Sequence, residues 1–95
     1  MKEQNYIVRG QNSGVFFGQI KERNGREVTM THCRRLYYWE GATECIQLSM
    51  EGVKYPEKCK ITMYADELII LDATEIHSCT EAAARNLAEV GVWKI

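Results

Sequence analysis

Apolar and polar positions alternate with period two through most of the first forty residues, and that period marks strands with one face on a core. Tyr6-Ile7-Val8-Arg9 reads as a short strand, ended by Gly10 and the polar Gln11-Asn12-Ser13-Gly14 turn. Val15 to Lys21 is a second strand, and Asn24-Gly25 reverses the chain into a third over Glu27 to Thr31. Register follows from the faces. A two-residue loop sets Lys21 opposite Val28 and Ile20 opposite Thr29, which mixes polar with apolar. A three-residue loop of Arg23-Asn24-Gly25, with Gly25 at a left-handed bulge position, sets Lys21 opposite Glu27 and Ile20 opposite Val28. The second register is expected because it pairs like with like. Its buried face is Phe16, Gly18, Ile20, Val28 and Met30.

Arg34 to Trp39 continues as a strand, with Arg35, Tyr37 and Trp39 on one face and Arg34, Leu36 and Tyr38 on the other. Glu40-Gly41 ends it. Thr43 to Met50 predicts a short helix with Thr43 as N-cap, Ile46 and Met50 on one side, and Gly52 as its stop. A loop at Tyr55-Pro56-Glu57 leads to an edge strand over Cys59 to Met63. Leu68 to Ile76 is the longest β-rich run and is expected as a central strand. Ser78 and Glu81 have capping-box spacing for a helix over Glu81 to Val90, whose alanines and Leu87 permit close packing on a sheet. Val92 to Ile95 reads as a last short strand. The expected class is α+β: one domain over 1–95, a small antiparallel curled sheet or partial barrel with two short helices.

Composition narrows the chemistry. Ninety-five residues, 45% apolar and 26% charged, suit one folded domain whose small core gains from oligomerisation. A formal net charge of −1 argues against coating a nucleic-acid polymer, which takes a basic surface. Cys33, Cys45, Cys59 and Cys79 stand singly, and neither His32 nor His77 has zinc-ligand spacing, so no metal site and no cofactor are expected. The N-terminal Met1-Lys2-Glu3-Gln4-Asn5 is polar, no apolar run reaches bilayer length, and a cytoplasmic setting away from membranes is expected. No P-loop, G-x-S-x-G, H-x-E or paired-His signature is present, which favours a protein that is not an enzyme.

Recognition chemistry concentrates in Arg34, Arg35, Tyr37, Tyr38 and Trp39. Arginine carries a rigid fork of donors for phosphate or carboxylate, and aromatic faces stack on bases. The same residue types also fill cores and protein interfaces, so pocket, interface and core all stay open for this segment. Alternation makes the odd set, Arg35 with Tyr37 and Trp39, the better ligand face, because Leu36 draws the even face toward the core.

The order Gly14-Val15-Phe16-Phe17-Gly18, Arg34-Arg35-Leu36-Tyr37-Tyr38-Trp39-Glu40-Gly41-Ala42, Gly52-Val53, Pro56-Glu57-Lys58-Cys59-Lys60 and Val92-Trp93 resembles a small family of phage- and prophage-encoded proteins of unassigned function. Family members commonly carry Trp at the position of Tyr37. The resemblance implies a phage accessory protein, and by analogy an inhibitor of host defence. The expected function is therefore to bind and sequester a small anionic nucleotide immune signal, such as a cyclic dinucleotide, without cleaving it. The alternative is a module that binds and inhibits a host protein through its aromatic patch. A homo-oligomer, dimer or tetramer, is expected, with Arg34 to Trp39 or Val92 to Ile95 near its interface.

Overall fold

Three antiparallel strands form where the alternation predicts them: β1 (Tyr6–Gly10), β2 (Val15–Asn24) and β3 (Glu27–Tyr38). The computed structural model describes residues 4–95. After β3 come helix α1 (Cys45–Glu51), a 3-10 turn at Pro56–Lys58, strands β4 (Lys60–Ile61), β5 (Ala65–Ile70) and β6 (Ala73–Ser78), and helix α2 (Glu81–Glu89). The sheet runs β4-β3-β2-β1-β6, and β5 also pairs with β3. Every strand pair is antiparallel, so the expected α+β class with a curled, unclosed sheet and two helices is what the chain adopts.

The curl comes from a corner that the alternation does not reveal. Leu68 to Ile76 is not one central strand but the end of β5 and the start of β6, broken at Leu71-Asp72. β5 lies against β3 and β6 against β1, so two residues join opposite edges of the sheet. Asp72 holds the corner. Its carboxylate accepts the Asn12 N–H at 2.8 Å and the Ser13 hydroxyl at 2.6 Å, and its carbonyl accepts the Gln11 N–H at 2.9 Å.

Register is also corrected. Asn24 pairs with Glu27, leaving Gly25-Arg26 as a two-residue loop, and Ile20 faces Met30 rather than Val28. Lys21 is the extra residue of a bulge between the Ile20–Met30 and Glu22–Thr29 pairs. That bulge keeps Ile20 and Met30 on one face while Glu22, Arg23 and Asn24 extend the ladder. Those three side chains are exposed, so the longer hairpin buries no charge. Gly25 has φ 63°, the left-handed value the turn was expected to need.

A second bulge decides what β3 presents. Gly18 faces a step where the register slips between Gln19–Thr31 and Phe17–Arg34, and His32 there has φ 46°. Before the step Val28 and Met30 point into the curl; after it Cys33 and Arg35 do, while Arg34 and Leu36 point to the helices. Only glycine fits opposite, because a Cβ on Gly18 would lie 2.6 Å from the Cys33 Cα. His32 stacks on Tyr64 at 4.1 Å, outside the bulge.

Two apolar cores follow. Val8, Phe16, Val28, Met30, Cys33 and Ile70 fill the curl, and Ile20 packs on them. The opposite face carries Ile7, Phe17, Leu36 and Ile61 against Leu48 of α1 and Leu87 of α2. The predicted one-sided sheet is thus apolar on both sides, because helices cover its back.

Local capping departs in detail from expectation. α1 starts at Cys45, and Thr43 does not cap it; the Gln47 side chain instead accepts the Thr43 N–H at 2.8 Å. Gly52 ends α1 as expected, at φ 78°. For α2 the cap is Thr80, whose hydroxyl oxygen accepts the Ala83 N–H at 3.1 Å, and Ser78 belongs to β6. The Thr80 hydroxyl also donates to the Met50 carbonyl at 2.8 Å, tying the end of α1 to the start of α2. The edge strand expected over Cys59 to Met63 shrinks to Lys60–Ile61, and Val92 makes a single parallel bridge to Ile61 instead of a strand.

Two tests follow. Gly25→Ala should lose about 1 kcal/mol of stability, since nothing lies within 4 Å of an added Cβ and only the backbone conformation resists it. Gly18→Ala should lose clearly more, at the upper end of the roughly 1–3 kcal/mol typical of overpacking, because backbone must move; urea denaturation of both variants measures the difference. The second concerns pH. The Ser13 hydroxyl, then the Asn12 N–H, hold the Asp72 carboxyl below its ordinary range. Its contribution is present above the unfolded aspartate value and is lost as pH falls through the depressed folded value. Asp72→Asn should therefore flatten the acid limb of stability against pH.

Candidate functional site

The end of β3 carries Arg34, Arg35, Tyr37 and Tyr38, with Trp39 just past it, and sends them to different places. Arg34 goes inward. It is only 2% exposed, and its guanidinium is held by backbone carbonyls: Nε donates to Thr62 at 2.8 Å, and Nη1 to Val90 at 2.9 Å and Leu87 at 3.2 Å. Nη2 donates to Ile61 at 3.4 Å, and Tyr64 covers the group with its ring centroid 4.9 Å from Cζ. Burial lowers its pKa from the usual arginine value, with Tyr64 opposing the shift. The expectation that Arg34 meets a ligand phosphate is corrected here: its donors are spent on the fold. Its shared face with Leu36, which is 3% exposed, is the one alternation gave it.

Arg35 is exposed on the other face, with its guanidinium 5.0 Å above the centre of the Phe16 ring. It borders a cleft of about 410 Å³ whose walls include Phe16, Leu68, Leu71 and Asp72. Leu71, 72% exposed, leaves that rim strongly apolar. Gly14 lies beside the Arg35 stem, where a Cβ would come 3.8 Å from Nε.

Tyr37 is two residues further along and 63% exposed. Its ring stacks on Trp93 with centroids 4.9 Å apart, and Lys60 Nζ lies 5.7 Å from the centre of the Trp93 ring. The Trp93 N–H donates to the Ile61 carbonyl at 2.9 Å, which fixes the C-terminal segment beside β4. Tyr38 is half-exposed, pairs with Lys60 across the ladder and donates its hydroxyl to Glu40 at 2.7 Å, a bond that raises its pKa. Trp39 leaves the strand, packs on the core under the helices and donates its ring N–H to the Ala42 carbonyl at 3.3 Å. The expected odd set is therefore divided: Arg35 and Tyr37 are exposed on β3, whereas Trp39 turns toward Val15 and Cys45.

Lys60 and Trp93 were not among the expected ligand residues, although both lie in segments that carry the resemblance and Trp93 lies in the stretch expected near an interface. They are far apart in the chain: the ladder pair with Tyr38 brings Lys60 to this end of β3, and the Ile61–Val92 bridge brings Trp93 to Tyr37. Cys45, Glu75 and His77 also converge, on the α1 side of β6. Glu75-x-His77 does carry a sequence signal, since alternate strand residues share a face. No helix among the described residues is long and apolar enough to cross a membrane.

Residues 3–87 match the family described as a domain of unknown function (DUF6948). The chain belongs to this family. The match spans both helices nearly to the end of α2 and includes the whole Arg34–Trp39 segment, whereas Trp93 lies beyond it. No curated protein and no solved structure gives a significant match to the chain.

Arg34 generates a stability prediction. Arg34→Ala should cost several kcal/mol, because it leaves the buried carbonyls of Leu87 and Val90 without this donor, at roughly 1–3 kcal/mol for each unsatisfied group. Arg34→Lys should rescue little, because an ammonium cannot serve carbonyls spread across a planar fork. Thermal and urea unfolding measure both; near-native stability of Arg34→Ala would show that the carbonyls find water instead.

Proposed function

We propose that this chain is a non-catalytic binding protein, and that its working surface is formed by Arg35, Tyr37, Lys60 and Trp93. The supporting observation is the exposed Tyr37–Trp93 stack with Lys60 over it, about 7 Å along the strand from the exposed Arg35. Flat aromatic faces beside two cations suit a ligand that combines a planar ring with negative charge. The occupant read from this is a small anionic nucleotide, such as a cyclic dinucleotide signal, which the protein sequesters intact. Arg35 and Lys60 would meet phosphate, while Tyr37 and Trp93 offer their faces to a base. The resemblance to phage-encoded proteins gives this a setting, the host cytoplasm during infection, with the ligand an immune signal.

A specific observation favours a second reading. Tyr38 pairs with Lys60 and Val92 bridges Ile61, and Tyr38 and Val92 are 46% and 52% exposed. The patch is therefore broad, and tyrosine, tryptophan and arginine dominate protein hot spots. A host protein, or a second copy of this chain in a symmetric dimer or tetramer, fits such a surface.

Calorimetry against a panel of cyclic mono- and dinucleotides separates these. Arg35→Ala should lose roughly 1.5–3 kcal/mol of nucleotide binding, and Tyr37→Ala or Trp93→Ala about 1–3 kcal/mol each. All three variants should keep their fold, since the side chains lie at the surface. Ligand released by heating should be chemically unchanged. Absence of any heat or thermal shift across the panel removes the nucleotide reading, and light scattering then decides whether the patch serves self-association.

A further inference from the structure

We propose that Cys45, Glu75 and His77 form a site for a borderline divalent transition-metal ion, zinc(II) in kind, that links α1 to β6. One ligand atom from each residue, the Cys45 Sγ, a Glu75 carboxylate oxygen and a His77 ring nitrogen, lies within 4.8 Å of the other two. The arrangement arises from the topology. Glu75 and His77 are alternate residues of β6 and share a face, and His77 pairs with Ile7, whose side chain lies in the core beneath the helices. Cys45 is the first residue of α1 and is 4% exposed in that same core.

Donor chemistry selects the ion. Sulfur, imidazole nitrogen and one carboxylate suit zinc and its neighbours, whereas magnesium and calcium take oxygen alone. Charge also balances: a thiolate and a carboxylate carry two negative charges and a neutral imidazole none, matching a dication. On binding, the Cys45 S–H bond breaks, its proton leaves to solvent, and the sulfur lone pair forms the bond to the metal. A metal is the partner that converts such a thiol to a ligand.

The surroundings already orient the ligands. Glu75 divides its carboxylate, with Oε2 3.4 Å from Arg9 Nη1 and Oε1 2.8 Å from His77 Nε2. A metal would replace the second contact and keep the first, so Arg9 would hold the carboxylate as outer partners of metal ligands do. Tetrahedral metal–ligand bonds of about 2.0–2.3 Å set ligand atoms roughly 3.3–3.5 Å apart, so distances to the Cys45 Sγ shorten by up to about 1.3 Å while the 2.8 Å Glu75–His77 contact opens slightly. The Glu75 and His77 side chains, 41% and 20% exposed, have room to make that movement. The remaining position faces a cleft of about 270 Å³ bordered by Arg9, Trp39 and Glu44, where water completes a four-coordinate shell.

Cobalt(II) titration of the chelator-stripped full chain, followed by zinc competition, tests this. Cobalt should produce a thiolate-to-metal charge-transfer band in the near ultraviolet that saturates at one equivalent and is bleached by zinc. Cys45→Ser should abolish the band, and Cys59→Ser, which removes the half-buried thiol, should leave it unchanged. His77→Ala should weaken binding by well over the roughly tenfold that loss of a supporting partner brings. Zinc should raise the melting temperature of the parent chain and not that of His77→Ala. Should Cys45→Ser fail to fold, Glu75→Gln and His77→Ala carry the test from the surface side. A missing band, a band that survives Cys45→Ser, or one lost in Cys59→Ser would overturn the site.

Discussion

A buried arginine with no carboxylate partner among the described residues holds three parts of this fold together. Arg34 reaches from β3 to the carbonyls of Ile61 and Thr62 after β4 and to those of Leu87 and Val90 at the end of α2. The last turn of a helix leaves its carbonyls unpaired and carries partial negative charge, so a cation placed there meets both needs. α2 has no basic residue of its own in that turn. The cap comes from a strand 53 residues earlier in the chain. Several kcal/mol of desolvation accompany the burial of such a cation, and the carbonyl dipoles have to offset it. The packing of α2 on the sheet and the path of the β4–β5 edge therefore depend on one side chain.

That side chain points inward because of the bulge at His32. Without the slip opposite Gly18, Arg34 would keep step with Met30 and face the curl, while Arg35 would turn toward the helices. The bulge exchanges the two arginines. One residue in a left-handed conformation and one missing Cβ thus determine which arginine is architecture and which is surface. Tandem arginines in a strand take opposite roles for the same reason that any neighbouring strand residues do.

What could be read in the chain was local. Alternation placed Arg34 with Leu36 on the core side, Asn24-Gly25 marked the hairpin, and the capping-type residues and alanine run marked a helix near Thr80, although the cap is Thr80 and not Ser78. What escaped reading depends on partners distant in sequence. The Leu71-Asp72 corner lies in a β-rich run with no glycine or proline, and the distant Gln11-Asn12-Ser13 turn makes Asp72 a turn residue. The bulges at Lys21 and His32 are properties of two strands together, and no periodicity in one of them reports a slip. Trp39 escaped for a simpler reason: β3 ends at Tyr38, so the alternation that assigned it to the ligand face no longer applies.

Candidate chemistry separates along the same line. A clamp of two adjacent arginines on one phosphate is ruled out by strand geometry alone, and the burial of Arg34 removes it a second time. Exposed cations on this side include Arg35, on β3 above the Phe16 ring, and Lys60, on β4 beside the Trp93 ring. This makes the surface dependent on the β3–β4 ladder, which pairs Leu36 with Ile61 and Tyr38 with Lys60 and is backed by the Arg35–Thr62 hydrogen bonds and the Val92 bridge. Arg34 donates to the Ile61 carbonyl in that ladder, and the Trp93 N–H donates to the same oxygen. The buried arginine and the exposed tryptophan therefore meet at one carbonyl, so loss of the core cation would loosen the surface stack as well as the helix.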